Sequence, residues 1–255
     1  TVSCSKAFSK MNILFIHQNF PGQFCHIAPE MIKRGHHVSA LRLGDGNTSE
    51  LRGVKVHTYK IKKETSKTVH SWVSDFETKI IRAEGCFIAA LKLKEQGYTP
   101  DLIMAHHGWG ESLFIKDVWP QTKLGIYCEF FYSSRGTDTD FDPEFPTQNV
   151  DLDACRIKLK NLNNFMHFDV ADFGISPTAW QASSFPQKFQ EKISVIHDGI
   201  DTDIAKPATT SSISIKSNHG EMLQLSSKDQ IVTFVNRNLE PYRGYHTFMR
   251  SLPPL

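Results

Sequence analysis

From Asn12 onward, short apolar runs alternate with stretches of helical periodicity, and that alternation leaves few folds open. NILFIH (12–17) has strand length, QNFPGQF turns the chain, and residues 24–34 repeat apolar side chains at helical spacing up to Gly35. HHVSALRL (36–43) and GVKVHTYKI (53–61) read as further strands, 74–96 as a long helix stopped by Gly97, and DLIMAHH (101–107) as a fourth strand. GESLFIKDVW (110–119) then reads as a helix, KLGIYCEFFY (123–132) as a strand and 150–168 as a helix. DFGIS (172–176) reads as a strand leading into a helix with Pro177 in its first turn and Ser176 as cap, and ISVIHDGID (193–201) as one more strand. The expected architecture is α/β: a doubly wound, mainly parallel, Rossmann-like sheet with helices on both faces.

Residues 11–205 make one domain on this reading, and 40% hydrophobic content supplies it with a core. Residues 1–10 lack the apolar stretch of a signal peptide and read as a leader or extension, with Met11 as the natural start. Residues 206–230 are polar and Ser/Thr-rich and read as a linker. IVTFVNR (231–237) opens a fresh strand and YHTFMRSL (245–252) a helix, so 231–255 reads as the first βα unit of a second domain.

A formal charge of +2 argues against a nucleic-acid partner and leaves small molecules as the expected ligands. Cys4, Cys25, Cys86, Cys128 and Cys155 lie at unrelated spacings with no C-x-x-C pair, which points to a reducing, cytoplasmic compartment. No apolar run has the length of a membrane span.

Ligands of open α/β sheets sit beyond the carboxyl ends of the strands, which selects the candidate residues. Gly22 lies in the first strand-to-helix turn, where backbone N–H groups can meet a phosphate, but a single glycine there does not make the three-glycine dinucleotide fingerprint. His106 and His107 end the fourth strand, and alternation sends their rings to opposite faces, so one of them at most faces the crevice. Glu129 and Tyr132 occupy the corresponding place after the next strand, with Phe130 and Phe131 as further walls for a sugar ring. Asp138 and Asp140 spell a D-x-D inside the aperiodic loop 133–149, away from the strand tip where such a pair would hold a divalent ion, so no metal site is expected. Arg237 and Arg243 flank a turn beside a helix start, and two permanent cations there suit a diphosphate.

NILFIHQNFPGQF, HHGWGE, EFFY with FDPEFP, VIHDGIDT and RNLEPYRGYHTFMRSLP occur in an order that resembles retaining glycosyltransferases of the GT-B fold, family 4. The resemblance implies a GT-B amino-terminal domain carrying the acceptor side, followed by the start of a nucleotide-sugar-binding domain. It implies transfer with retention in the cleft between the two domains, with the nucleotide-sugar as a substrate and no separate cofactor. Arg237 matches the diphosphate-binding arginine, Arg243 stands where relatives have a lysine, and Gly22 approaches the same diphosphate. His107 matches the cleft histidine, with His106, Glu129 and Tyr132 as further acceptor or cleft-lining residues, and Asp198 with Gly199 matches the interdomain segment. The implied partners are a nucleotide-sugar donor and a saccharide or lipid-linked acceptor, with room for peripheral membrane association of the parent protein. The paired glutamates of the family's carboxyl domain do not occur in this chain, so the fragment alone is expected to be inactive. A non-catalytic saccharide- or partner-binding module and a metal-dependent transferase using Asp138 and Asp140 are the competing expectations.

Overall fold

The protein is described by a computed structural model covering residues 9–208 and 210–253; Cys4 and most of the expected leader lie outside the described residues. Two compact units divide it: the first comprises residues up to 141 and 147–198, the second 142–146 and those from Gly199 onward.

The first unit is built on an eight-stranded sheet. Its strands are β1 (Asn12–Ile16), β2 (His37–Leu43), β3 (Thr48–Leu51), β4 (Val54–Tyr59), β5 (Leu102–Ala105), β6 (Lys123–Tyr127), β7 (Phe173–Ser176) and β8 (Ile193–Val195). The spatial order is β3-β4-β2-β1-β5-β6-β7-β8. All pairs are parallel except β3 with β4, so the expected doubly wound, mainly parallel sheet forms, with one antiparallel edge strand that sequence periodicity missed. Ile13, Phe15, Val38 and Ala40 face one apolar layer, and Leu14, Ile16, Leu41, Ile103 and Ile126 the other. Burial on both faces is why these strands read as near-continuous apolar runs.

Helices α1 (Ile27–Lys33), α2 (Ser74–Glu95), α3 (Ile115–Val118), α4 (Val150–Lys160), α5 (Leu162–Val170), α6 (Ala179–Ser183) and α7 (Gln187–Gln190) cover the faces. Several boundaries differ from the periodicity reading. Residues 22–24 form a 3-10 turn and α1 starts only at Ile27, so the free N–H groups of that helix do not begin at Gly22. The helix expected over 150–168 breaks at Asn161, whose amide is taken up by the Tyr132 backbone. Thr178, not Ser176, caps α6 by accepting from Gln181 N at 3.1 Å, because the Ser176 hydroxyl is spent on the Cys128 carbonyl at 2.8 Å.

In the second unit the expected linker contains an antiparallel hairpin, β9 (Ser212–Lys216) with β10 (Met222–Ser226). Residues 231–237, expected as a strand, take no regular structure, and α8 (Tyr245–Ser251) follows a 3-10 turn over Pro241–Arg243. Strand propensity at 231–237 is not enough without a neighbouring strand to take up its backbone N–H and C=O groups.

No helix among the described residues is long and apolar enough to cross a membrane. Cys25, Cys86, Cys128 and Cys155 are free thiols.

Candidate functional site

Strand register assembles the site. Ile16 pairs with Ala105, and Ala105 with Ile126, so the next residues, His17, His106 and Tyr127, stand in one row across three adjacent parallel strands at their carboxyl ends. The three side chains share a face. His106 is 1% exposed and lies between the rings of Tyr127 and Trp109, with centroids 5.2 and 5.9 Å away and planes 23° and 28° from parallel. The His17 ring meets it edge-on at 5.0 Å.

The protonation pattern follows from the partners. His17 Nδ1 accepts from Asn19 N at 2.9 Å, so its proton sits on Nε2 and is given to Gln23 Oε1 at 2.7 Å. Burial, reinforced by the neighbouring His106, lowers the His17 pKa to about 4, and the ring is neutral at pH 7. Gly22 is required here twice over: its φ is +46°, and a Cβ would overlap the His17 imidazole.

His106 Nε2 lies 3.3 Å from Glu129 Oε2, yet neither ring nitrogen has a well-directed hydrogen bond although both are buried. Glu129 is the member of the group that meets solvent, its side chain 53% exposed. The imidazole beside it holds its carboxyl below the usual range, so it is an acceptor at neutral pH. The Tyr127 hydroxyl donates to both carboxylate oxygens of Asp198 at 3.0 and 2.9 Å, and burial followed by that bond raises its pKa. Asp198 is the last residue of the first unit; Gly199, at φ +86°, begins the longer segment of the second.

His107, the expected cleft histidine, points to the opposite face and is 2% exposed. Its Nδ1 lies 2.9 Å from the Tyr127 carbonyl and its Nε2 2.6 Å from the Asn164 amide oxygen, two acceptors of which the single N–H of the neutral ring serves one. Buried, with both nitrogens turned to protein oxygens and its pKa lowered by burial to about 4, the ring packs β5 against α5 and is closed off from solvent. The ring set against Glu129 is its neighbour His106. Tyr132 is likewise held from behind, its backbone N and O bonded by Asn161 and its ring 3.7 Å from Lys160 Nζ. His17, Tyr127 and Trp109 were missed by sequence reasoning; His17, as the residue directly after the first strand, carried the same positional signal as His106.

In the second unit Arg243 pairs with Glu240 at 3.2 Å and lies over the Tyr242 ring, its guanidinium carbon 5.1 Å from the centroid, while the Arg237 backbone is held by Asn236 at 2.8 Å. In the 133–149 loop, Asp138 accepts from Thr137 Oγ1 at 3.0 Å and Asp140 adopts φ +50°. Asp142, Glu144 and His246 bring ligand-type atoms within 4.8 Å of one another, but Arg250 already neutralises Glu144 at 2.6 Å.

Fold and site together define an open α/β protein with polar side chains gathered where parallel strands end, the place where such sheets bind ligands. The profile of the glycosyl transferase family 4 group matches residues 34–205, well over half of the sequence, and the chain belongs to that family. Among solved structures it is similar to the catalytic domain of starch synthase IV from Arabidopsis thaliana bound to ADP and acarbose, at 13% identity and TM-score 0.47, covering 76% of this chain and 53% of that one. It is similar also to Anabaena HepE in complex with UDP, at 15% identity and TM-score 0.46 over 78% and 47% of the two chains. A third likeness is to CalG4, the calicheamicin glycosyltransferase, at 15% identity and TM-score 0.41 over 74% and 53%. The chain thus spans about half the length of these structures. A search of curated proteins returned no match.

Proposed function

We propose that the intact protein transfers a sugar from a nucleotide-sugar donor to an acceptor hydroxyl with retention of configuration, and that the crevice at the ends of β1, β5 and β6 receives the acceptor or the transferred sugar. The observation that carries this reading is the half-exposed carboxylate of Glu129 set 3.3 Å from the His106 imidazole, whose buried nitrogens make no well-directed hydrogen bond. A carboxylate held ionised at a crevice mouth accepts hydrogen bonds from sugar hydroxyls, and the stack of Tyr127, His106 and Trp109 behind it keeps it in place. His106 is a positioning residue in this scheme and takes the role that sequence alone gave to His107.

Arg237 and Arg243 are the proposed ligands of the donor diphosphate. As oxygen develops negative charge on the leaving diphosphate, two guanidinium groups stabilise it more than they stabilise the ground state, which is the condition for rate acceleration. The acceptor hydroxyl attacks on the face from which the diphosphate departs, its proton passing to a diphosphate oxygen. The scheme includes no resident metal, and turnover is expected to survive EDTA.

The test is turnover of the intact protein with UDP- and GDP-sugars, with the anomeric configuration of the product read by NMR. Arg237→Ala is expected to lower kcat by about 100-fold, and Glu129→Gln to weaken acceptor or sugar use. Near-normal transfer by Arg237→Ala would remove the diphosphate assignment, and an inverted product would remove retention.

A further inference from the structure

A cavity of about 480 Å³ opens on the outer edge of the first unit, between β3 and β4 on one side and α2 on the other. Its position follows from the packing of α2. That helix buries the stripe Lys79, Ala83, Cys86, Ala90 and Leu93, at spacings of three and four, against the rest of the unit. Ile81, Ile88 and Ala89 fall beside the stripe and line the cavity together with Leu93 and the Tyr59 ring. Ile88 is left 37% exposed, an aliphatic side chain directed at open space. Gly85 brings helix and strand together at the inner end: a Cβ there would lie 2.9 Å from the Lys60 carbonyl oxygen and 3.0 Å from the Tyr59 ring.

The rim has the opposite chemistry. Lys55, Lys60 and Lys62 come from β4 and the segment after it, and Lys92 from α2, against Glu84 as the one acidic lining residue. A chain of net charge +2 has no general excess of cations to explain four at one mouth. Lysines are compact point charges on flexible stems and accommodate any small anionic head, whereas a bidentate geometry would favour arginine. The volume is that of a site for one small molecule.

From the apolar floor and the lysine rim together, we infer that this cavity binds a small amphipathic anion: one phosphate, sulfate or carboxylate head on the lysines, with an aliphatic or aromatic body laid along Tyr59, Ile88 and Leu93. The two halves of the site act jointly. Inorganic phosphate lacks the body and a neutral amphiphile lacks the head, so each binds far less well than a molecule with both.

The experiment is calorimetric titration of the protein with monomeric octyl phosphate, with inorganic phosphate and octyl glucoside as controls. Octyl phosphate is expected to bind at least about 10-fold more tightly than either control. The double variant Lys60→Gln/Lys92→Gln, which alters only exposed side chains, should weaken it about 10-fold or more, since a charge-assisted hydrogen bond is worth that much. Ile88→Asn, checked for fold by circular dichroism, should weaken it while leaving the weak phosphate binding unchanged. Unaltered affinity in the lysine variant, equal affinity for octyl phosphate and octyl glucoside, or association with anionic-lipid vesicles without binding of the monomer would each overturn the inference; none of these outcomes bears on the transferase reading.

Discussion

Gly22 occupies a backbone conformation that side chains rarely adopt, and the His17 ring fills the space where its Cβ would be. Gly22→Ala therefore combines φ strain with displacement of His17, and the variant should lose about 1–2 kcal/mol of stability in urea denaturation. Retention of full stability would show that the turn relaxes freely. The buried histidines also set a pH dependence. His17 and His107 titrate near 4 in the fold and at about 6.5 in an unfolded chain. Between those values the unfolded state binds more protons, so their contribution is fully present above about pH 6.5 and is lost as the pH falls toward 4. The limit is on the order of 3 kcal/mol per histidine. Urea midpoints measured from pH 7 to pH 4.5 should fall, and His107→Gln should flatten the curve; an unchanged slope in that variant would remove His107 from the account. At this scale the sequence was informative about place and silent about direction. Two adjacent histidines at a strand end could be read as belonging to the crevice, but which one faces it depends on partners 20 and 57 positions away, the Tyr127 carbonyl and Asn164.

Among the elements, α2 is the one whose sequence and position agree most closely: a long amphipathic run, read as 74–96, forms a helix over Ser74–Glu95. Its Gly85 looks like a defect in a helix, where alanine is ordinarily better by about 1 kcal/mol. The contact with the Lys60 carbonyl reverses that preference, since backbone cannot move aside as a side-chain tip can. Gly85→Ala is expected to lower the thermal midpoint by several degrees and to close part of the β4–α2 cavity; a raised midpoint would show that the helix shifts without cost. At the start of α4, Asn149 accepts from Leu152 N at 3.0 Å, and Asn149→Ala should cost about 1 kcal/mol, read as a shift in urea midpoint at constant slope. The hairpin β9–β10 shows how a signal can be present and overridden. SISIK and LQL alternate with period two, as a strand does, but the surrounding serines, threonines and lysines make the composition that of a linker. IVTFV has the converse problem: its propensity is strong, yet Val235 stands 92% exposed because no strand pairs with it among the described residues.

For the molecule as a whole, the two units differ in how they are held together. Every buried apolar residue identified among the described residues, from Ile13 to Phe189, belongs to the first unit; Ile213, Met222, Val232 and Val235 of the second are exposed. Local opening should therefore be easier in the second unit. Limited trypsin digestion is expected to cut first after Lys206, Lys216 or Lys228, with mass spectrometry showing a persistent product that retains residues 11–198. Early cleavage within α2 or after Lys123 would contradict that order. The alternation of apolar runs with helical stretches determined the class of fold, because period and strand length are local properties written into consecutive residues. It also pointed to the strand ends as the place to expect ligand chemistry, since that expectation follows from parallel topology alone. Only the tertiary structure decided that His106 rather than His107 meets Glu129, that His17 and Tyr127 join it, and that four lysines close around an apolar cavity. Those outcomes depend on register between strands and on which side chains fill the space behind each ring, and such contacts join residues far apart in the chain.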